Sequence, residues 1–448
     1  MIELSEFSSR RKKLLAAMQA NSICVVPAAH LVTRSRDTEY PFRQDSYFHY
    51  LSGFPEPEAW LVLSNKRAQQ PESKGLSILF CLDKDPSAEI WHGRRCGPEI
   101  AKDKFGLDMT FSLDDLDEKL TELVDGHQNL YFAQGHSADA DAQVFSILEE
   151  LRGAPKQSKT APGNIVDVRP ILDEMRLYKS PAEAALMRVA ATISCAAHIR
   201  AMQFSQAGKF EYQLQAEIQH EFALQGAKDP AYGSIVGSGH NACILHYTEN
   251  SDELKNGDLV LIDAGCELQG YAADITRTFP VSGRFSTAQK QLYQLVLDSQ
   301  LAAFELIKPG SNIKLASDRA IEVITEGLIE LGILQGDLAD NITQQKYREF
   351  FMHGLSHWLG LDVHDVGNYK IDGRERPFEA GMVLTVEPGI YIAPDAQVDK
   401  RWRGIGIRIE DDLLITETGH ENLTEAAPKH LDDIEKLMNI DQRRVVNN

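Results

Sequence analysis

Two short stretches of the chain share one pattern of apolar and acidic positions. Each opens after a glycine, continues through an apolar segment rich in β-branched residues, and closes on a carboxylate and a second glycine. The stretches are Gly257–Gly265, which contains Asp263, and Gly381–Gly389, which contains Glu387. An apolar run of this length between turn residues predicts a buried strand. Because a buried carboxylate is costly unless it is paired or bound to a cation, the repetition predicts an internal duplication with a site shared between its halves.

The rest of the pattern places helices ahead of both strands. Residues 5–20, 211–225 and 315–331 are expected to be helical, and residues 77–82 to form a strand. The second and third of these helices each precede a histidine-bearing segment and then one acid-ended strand, which is the order that a duplication requires. A further helix is expected to start at Ser180, because a hydroxyl N-cap is followed by proline and then by glutamate at the third position.

The length of 448 residues predicts two domains. Residues 152–163 are rich in proline, glycine and polar residues, which is typical of an exposed connection. We therefore predict an amino-terminal α/β domain over residues 1–175, an α+β catalytic domain with pseudo-twofold duplication over residues 176–438, and a tail over residues 439–448.

Composition narrows the classes of partner. The 46 Lys and Arg residues against 66 Asp and Glu residues give a net charge of −20, which argues against a nucleic-acid partner. No apolar stretch approaches the roughly 18 residues of a membrane span, and the first residues lack the pattern of a secretion signal. We therefore expect no membrane partner and a cytoplasmic location. The six scattered cysteines are expected to be reduced thiols that mostly serve packing.

Each acid-ended strand is followed by a second segment that carries an acid. Asp274 follows Asp263 after a turn, and Glu410 follows Glu387 after a longer loop. A two-residue period places Arg408 and Glu410 on the same face of their strand. Four converging carboxylates would raise one another's pKa values strongly unless cations compensated them. Two divalent cations would balance the four charges and leave room for a bridging water or hydroxide.

A histidine cluster supplies the expected nitrogen ligand, His357. A ligand set rich in oxygen with one imidazole suits manganese or similar ions better than zinc, and two such ions would generate a hydroxide at neutral pH and polarise a carbonyl. His353 lies four residues earlier, but the glycines of this segment argue against a regular helix. Any of these acids alone is more often a surface or salt-bridged residue, and we expect only that of Asp365 and Asp411.

Five residues in the order Asp263, Asp274, His357, Glu387 and Glu410 resemble the dinuclear ligand set of the pita-bread metallopeptidases, which include methionine aminopeptidase, prolidase and aminopeptidase P. More specific segments are similar to the bacterial aminopeptidase P (Xaa-Pro aminopeptidase) members of that family. They are Ile244–Asn250, Phe351–Asp365 and Arg403–Asp411, together with Thr33–Tyr40 and Glu89–Arg95. The resemblance covers nearly the whole chain.

The resemblance implies a creatinase-type amino-terminal domain, a pita-bread catalytic domain with two manganese ions, and release of the first residue from peptides whose second residue is proline. Asp263 would bind one metal and His357 the other, while Asp274 and Glu410 would bind both. Glu387 would bind one metal and act as general base and acid.

The resemblance also implies roles around the metals. His246, His353 and His364 would line the substrate cleft and hydrogen-bond the reacting carbonyl or the proline side, and Tyr391 and Arg408 would support them. Trp91 resembles a tryptophan that a neighbouring subunit lends to the active site, which implies a homotetramer arranged as a dimer of dimers. His240 and His92 depart from the family pattern without touching a predicted ligand.

Three alternatives remain beside this reading. Prolidase, the Xaa-Pro dipeptidase, would share all five ligands and act only on dipeptides. A catalytically inactive pita-bread protein-binding module and a metal-free, creatinase-like hydrolase are disfavoured by the complete set of ligands. The five ligands do not fix specificity for proline, which rests on the resemblance.

Overall fold

The computed structural model describes residues 2–66 and 75–445, with side chains described as far as residue 439. The described residues divide into two compact units, one that ends at Arg176 and one that begins at Leu177. The last helix, Leu431–Val445, continues past residue 438, where the sequence predicted a tail. Residues 446–448 of that predicted tail lie outside the described residues.

The amino-terminal unit is an α/β unit built on a six-stranded mixed sheet. The strands of this unit are β1 Ser22–Pro27, β2 Thr33–Ser35, β3 Thr38–Glu39, β4 Trp60–Ser64, β5 Leu76–Cys81, β6 Met109–Ser112, β7 Asn129–Tyr131 and β8 Asn164–Val166. Its helices are α1 Leu4–Ala17, α2 Ser46–Ser52, α3 Pro86–His92, α4 Gly97–Lys104, α5 Leu116–Val124, α6 Ala138–Gly153 and α7 Arg169–Leu177. The sheet order is β6-β5-β4-β1-β7-β8, while β2 and β3 form a separate hairpin. Strands β1, β4 and β5 are wholly or almost wholly buried, as expected for a sheet covered on both faces.

The second unit combines long helices with short antiparallel strands. Its helices are α8 Pro181–Phe204, α9 Glu211–Leu224, α10 Thr287–Phe304, α11 Ile313–Glu330, α12 Leu338–Thr343 and α13 Leu431–Val445. Its strands are β9 Asp229–Pro230, β10 Ile235–Ser238, β11 Leu259–Asp263, β12 Cys266–Leu268, β13 Tyr271–Ala272, β14 Thr276–Pro280, β15 Lys370–Ile371, β16 Arg374–Glu375, β17 Val383–Val386, β18 Gly389–Ile392, β19 Ile405–Arg408, β20 Asp411–Ile415 and β21 His420–Asn422.

The order of elements repeats within this second unit, as the sequence predicted. Helices α8 and α9 precede the antiparallel pair β11–β14, and helices α10 and α11 precede the antiparallel pair β17–β20. An isolated bridge between Thr276 and Glu410 joins the two halves. The shared apolar core draws on both halves, from Ile262 of β11 to Ile407 of β19. The duplication therefore brings the acid-ended strands to one place.

Local signals predicted the helices and strands closely. The expected helix 211–225 is Glu211–Leu224, and the expected helix 315–331 is Ile313–Glu330. Helix α8 begins with the expected capping box, in which the Glu183 backbone N–H donates to Ser180 and the Glu183 carboxylate accepts from the Ser180 backbone N–H. The first helix is shorter than expected, because it ends at Ala17 with Met18 already in an extended conformation.

The state of the cysteines and the character of the helices bear on two of the predictions made from composition. All six cysteines are free thiols, and all but Cys243 are buried, as expected for packing residues. Within residues 2–66 and 75–445, no helix has both the length and the apolar character needed to cross a membrane.

Candidate metal centre

All five residues of the predicted ligand set line one cavity of about 590 Å³ in the second unit. His246, His353, His364 and Arg408 line it as well. The predicted supporting residue Tyr391 is buried beside this group and contacts it through hydrogen bonds. Trp91 belongs to α3 of the amino-terminal unit, where its side chain is 83% exposed, and its role in a neighbouring subunit stays a prediction.

The ends of short strands position the acids. Asp263 is the last residue of β11, and Glu387 follows β17 directly. The glycine after each acid permits a close approach: a Cβ on Gly265 would lie 1.7 Å from the Ala273 carbonyl oxygen, and one on Gly389 would lie 2.5 Å from the hydroxyl of Tyr391. The repeated acid and glycine pattern thus reflects tight packing beside the carboxylates.

The expected shared face of Arg408 and Glu410 is also found. Strand β19 ends at Arg408, but both side chains line the cavity, while Ile407 and Ile409 pack in the core. Glu410 lies between two strands and is held there by its bridge to Thr276. The alternation therefore continues past the end of the regular strand.

Neighbouring side chains orient the carboxylates. Arg408 Nη2 donates to Asp263 Oδ2 at 2.6 Å, and the Tyr232 hydroxyl lies 2.5 Å from Asp263 Oδ1 and 2.5 Å from Asp274 Oδ1. The hydroxyl of Thr276 donates to Glu410 Oε2 at 2.6 Å. Because one hydroxyl proton cannot serve two carboxylates fully, the contact of Tyr232 with both aspartates leaves repulsion that a cation would relieve.

The imidazole of His357 presents Nε2 to the acids. Its Nδ1–H donates to the Trp358 carbonyl at 3.0 Å, which assigns the lone pair of the neutral ring to Nε2. Nε2 lies 3.5 Å from Asp274 Oδ2 and 3.6 Å from Glu387 Oε1. One ligand atom from each of Asp274, His357 and Glu410 lies within 4.8 Å of the others. A backbone carbonyl that fixes the far nitrogen is one of the usual second partners of a metal-binding histidine.

The carboxylates of the cluster outnumber the positive charges of Arg408 and His357. Burial, followed by the charges of neighbouring groups, raises the pKa of Asp274 and raises that of Glu410 strongly. Burial also raises the pKa of Glu387 to about 7, although His357 and Arg408 oppose the shift. Burial lowers the pKa of His357, but Asp274 and Glu387 outweigh it and raise the value to about 9. Several carboxylates and one imidazole around a small space fit hard divalent cations.

His353 belongs to a hydrogen-bonded chain with Tyr391 and Arg408. Its Nδ1 lies 2.7 Å from the Gly354 carbonyl, and its Nε2 lies 2.8 Å from the hydroxyl of Tyr391, to which Arg408 Nη1 donates at 3.0 Å. The network therefore places the proton on Nδ1 and makes Nε2 an acceptor. Burial, followed by the charge of Arg408, lowers the pKa of His353 to about 4, so the ring is neutral.

Two other histidines of the cavity have open ring nitrogens. Across residues 2–66 and 75–439, the side chains of His246 and His364 make no hydrogen bond, although the ring of His364 packs edge-on against His357 at a centroid distance of 4.3 Å. Both rings are therefore available to a ligand in the cavity, whereas both nitrogens of His353 already contact the protein.

Three polar residues that hydrogen-bond the predicted acids were not themselves predicted. Tyr232 gave no signal, because its loop is an ordinary turn sequence. Thr276 lies two residues after Asp274, so the two-residue period of a strand could have placed it beside the acid. Asp412 is buried and accepts from the Asp274 backbone N–H at 3.0 Å; burial and the charge of Asp274 raise its pKa strongly.

The two acids expected to be salt-bridged are so. Asp365 accepts from Lys179 Nζ at 2.9 Å, and both side chains are 1% exposed. Asp411 lies 2.6 Å from Arg277 Nη2 and 2.6 Å from Lys429 Nζ. Asp411 is fully buried, and although burial opposes it, the charges of these two partners hold its pKa below the ordinary range. Both acids are therefore paired with cations, whereas the carboxylates of the cavity outnumber the positive charges of Arg408 and His357.

Two parts of the chain match two different known families of domains. Residues 185–417 match the family described as Metallopeptidase family M24. The chain belongs to that family. Residues 7–131 match the Aminopeptidase P, N-terminal domain. The predicted combination of these two kinds of domain is thereby confirmed, and with it the pita-bread fold class of the M24 member.

The chain is similar to Xaa-Pro aminopeptidases along almost its whole length. It is 52% identical to that of Escherichia coli (strain K12), with 98% of each chain covered. It is 48% identical to that of Haemophilus influenzae, with 97% of each covered. Zinc-substituted E. coli aminopeptidase P in complex with product superposes with a TM-score of 0.96 at 51% identity, covering 98% of this chain and 99% of that one. Pseudomonas aeruginosa aminopeptidase PepP also gives 0.96, at 48% identity and 99% coverage of both.

Proposed function

We infer that this M24 metallopeptidase is an aminopeptidase that releases the first residue from peptides whose second residue is proline. The observation that carries the inference is the cluster of Asp274, Glu387 and Glu410 around His357, on a chain 52% identical to a curated Xaa-Pro aminopeptidase over nearly its full length. An acid cluster of this kind suits metal-assisted hydrolysis.

We propose that two manganese ions occupy the cluster. Asp263 would hold one ion and His357 the other, while Asp274 and Glu410 would contact both and Glu387 would contact one. When bound, the ions would supply an activated water at neutral pH and polarise the carbonyl of the scissile bond. The support is the hard, oxygen-rich donor set and the orientation of His357 Nε2 towards it.

Glu387 is the proposed proton carrier of the reaction. Its carboxylate lines the cavity beside the other acids, and a carboxylate within reach of the reacting groups can act as general base and then as general acid. It takes a proton from the attacking water and passes it to the leaving nitrogen. An Xaa-Pro bond needs that transfer, because the proline nitrogen must be protonated before it departs. That nitrogen also carries no N–H for a backbone-gripping peptidase to bind.

The three histidines of the cavity have different proposed roles. We propose that His246 and His364, whose ring nitrogens are open, donate to the carbonyl or contact the proline side. His353, with both nitrogens bound to the protein, would hold Tyr391 and Arg408 in place beside Asp263. A free amino group of the substrate against the acids would restrict cleavage to the first residue.

The deciding experiment compares substrates under metal control. Purified protein is treated with a chelator and then resupplied with manganese, and hydrolysis of an Xaa-Pro-Xaa tripeptide is measured against an Xaa-Pro dipeptide and an Xaa-Ala-Xaa tripeptide. Manganese-dependent cleavage of the first peptide alone supports the proposal. Cleavage of the dipeptide alone would indicate prolidase, and an inactive metal-loaded protein would indicate a binding module.

Other features are proposed on the resemblance to aminopeptidase P. We propose a homotetramer in which Trp91 reaches the site of a neighbouring subunit, and a cytoplasmic location. The support for the assembly is that Ile90 and Trp91, adjacent on α3, are 80% and 83% exposed, which is unusual for large apolar side chains. Sedimentation of wild-type protein and of Trp91→Ala, with tripeptide kinetics for both, tests the arrangement.

A further inference from the structure

One irregular segment supplies three of the residues that line the cavity. The His246 segment, defined as residues 238–252, begins with a 3-10 turn at Gly239–Cys243 and contributes Leu245, His246 and Thr248 to the cavity. The side chain of His246 is exposed and has no hydrogen-bonding partner in the described part of the chain. The placement of its imidazole therefore depends on the backbone that carries it.

A buried carboxylate from a different element holds this segment. Glu211, the first residue of α9, is fully buried. Its Oε1 accepts from the Ser238 backbone N–H at 2.7 Å, from the Ser238 hydroxyl at 2.9 Å and from Asn241 Nδ2 at 3.1 Å. Its Oε2 accepts from the Tyr247 hydroxyl at 2.9 Å and from the Asp252 backbone N–H at 2.9 Å. One side chain thus ties the beginning, the middle and the end of the segment.

Only a carboxylate satisfies this arrangement of donors. In the described ranges, no lysine, arginine or histidine lies within ion-pair distance of Glu211. Its charge is balanced instead by five hydrogen-bond donors and by the amino-terminal end of α9. A glutamine would turn an amide NH₂ towards donors on one side and leave them buried without an acceptor.

The tie at Tyr247 bears directly on the cavity. Tyr247 is 5% exposed, whereas its neighbours His246 and Thr248 are exposed and line the cavity. Burial, followed by the hydrogen bond to Glu211, raises the pKa of Tyr247, so its hydroxyl remains a donor. Because the side chain of Tyr247 is anchored in the interior, the backbone of the neighbouring residue His246 is held in place as well.

We propose that Glu211 is a positioning residue for substrate: it acts through Tyr247 and the backbone of the His246 segment to hold the His246 imidazole in the cavity. The inference deepens the proposed peptidase function and rests on it. Glu211 itself hydrogen-bonds none of the five predicted metal ligands among the described contacts. Its effect should therefore be separable from metal binding.

The test is Glu211→Gln, measured as purified, manganese-loaded protein. We expect kcat/KM for an Xaa-Pro-Xaa tripeptide to fall at least tenfold. The metal content of the variant should equal that of the wild type. Amide hydrogen exchange should accelerate across residues 238–252 and stay unchanged in α10. The double variant Glu211→Gln/His246→Ala should lose little more than His246→Ala alone, because both changes remove the same placement.

Matched variants separate positioning from general weakening of the fold. Glu221 lies on the same helix, and its carboxylate contacts the side chains of Gln225 and Arg200. The control variant Glu221→Gln should therefore keep wild-type kinetics. Tyr247→Phe removes one of the five donors and should give a smaller loss in the same direction. If Glu211→Gln does not fold, the same measurements on Tyr247→Phe test the proposal instead.

Three results would overturn the proposal. They are unchanged kcat/KM per folded molecule in Glu211→Gln, losses that add fully with those of His246→Ala, and hydrogen exchange that accelerates throughout the unit rather than in the segment. A wild-type protein that cleaves no Xaa-Pro peptide would refute the peptidase function instead. The exchange measurement would then still decide whether Glu211 holds the segment.

Discussion

The metal-free site should destabilise the protein as the pH rises, and Glu387→Gln should remove much of that effect. Glu387 is 18% exposed and lies 3.6 Å from His357 Nε2. Burial makes ionisation of its carboxylate unfavourable in the folded state and raises its pKa from 4.5 to about 7. Glutamine has almost the same shape and cannot ionise, so the substitution isolates the cost of the charge.

The sign and size follow from the two pKa values. Between pH 4.5 and pH 7 the folded protein binds this proton more tightly than the unfolded chain does. The stability from this group is therefore fully present below about pH 4.5 and is lost as the pH rises towards 7. The gap between the pKa values corresponds to roughly 3 kcal/mol, of which about 2 to 3 kcal/mol falls between pH 5 and pH 8.

The assay is chemical unfolding in the presence of a chelator at pH 5 and pH 8. The difference in unfolding free energy between Glu387→Gln and wild type should shift by about 2 to 3 kcal/mol in favour of the variant as the pH rises. Saturating manganese should stabilise wild type more than the variant, because the cation compensates a charge that the variant lacks. Glu387→Gln should also abolish peptide hydrolysis.

Two outcomes would refute this reasoning. If wild type and variant respond equally to pH without metal, Glu387 does not titrate in the expected range. If manganese stabilises both proteins equally at pH 8, Glu387 does not contribute its charge to the metal centre. Glu379→Gln, which changes an acid bonded to the Tyr178 hydroxyl elsewhere in the unit, serves as the control and should track wild type.

Four further substitutions test neighbouring parts of the site. Tyr232→Phe removes the hydroxyl between two predicted ligands and should weaken metal retention about tenfold, as measured by metal analysis after dialysis. His357→Ala should lose metal, whereas His353→Ala should keep it and lower kcat. Asp411→Ala leaves Arg277 and Lys429 buried without their acid, and should lower the unfolding free energy by about 3 to 5 kcal/mol in chemical denaturation.

Tyr232→Phe and Asp411→Ala have matched controls, and contrary results are defined for these two and for His353→Ala. Tyr369→Phe also changes a hydroxyl on the cavity wall and should retain metal normally; equal loss in both variants would deny Tyr232 a special role. Extensive metal loss from His353→Ala would make it a ligand. Asp318→Ala breaks an exposed ion pair with Lys314 and should cost less than about 1 kcal/mol, and a similar cost for Asp411→Ala would mean that its buried pairs contribute little.

Much of the architecture followed from signals that operate over a few residues. Helices α9 and α11 lay within two residues of their predicted bounds, because caps and glycines punctuate the chain locally. The acid-ended strands were recognisable because alternation and bounding glycines are properties of a short segment. The duplication extended those signals to a shared cavity, since two halves with the same order of elements must place their strand ends alike.

What the linear chain could not reveal are contacts that form only when distant elements pack together. Glu211 finds its donors up to 41 positions away, and Asp412 reaches the backbone of Asp274 across 138 positions. The proton position on His353 likewise depends on Tyr391, 38 residues later. These pairings carry no period or spacing along the chain. They exist because burial removes water from a polar group and leaves packing to decide which neighbour replaces it.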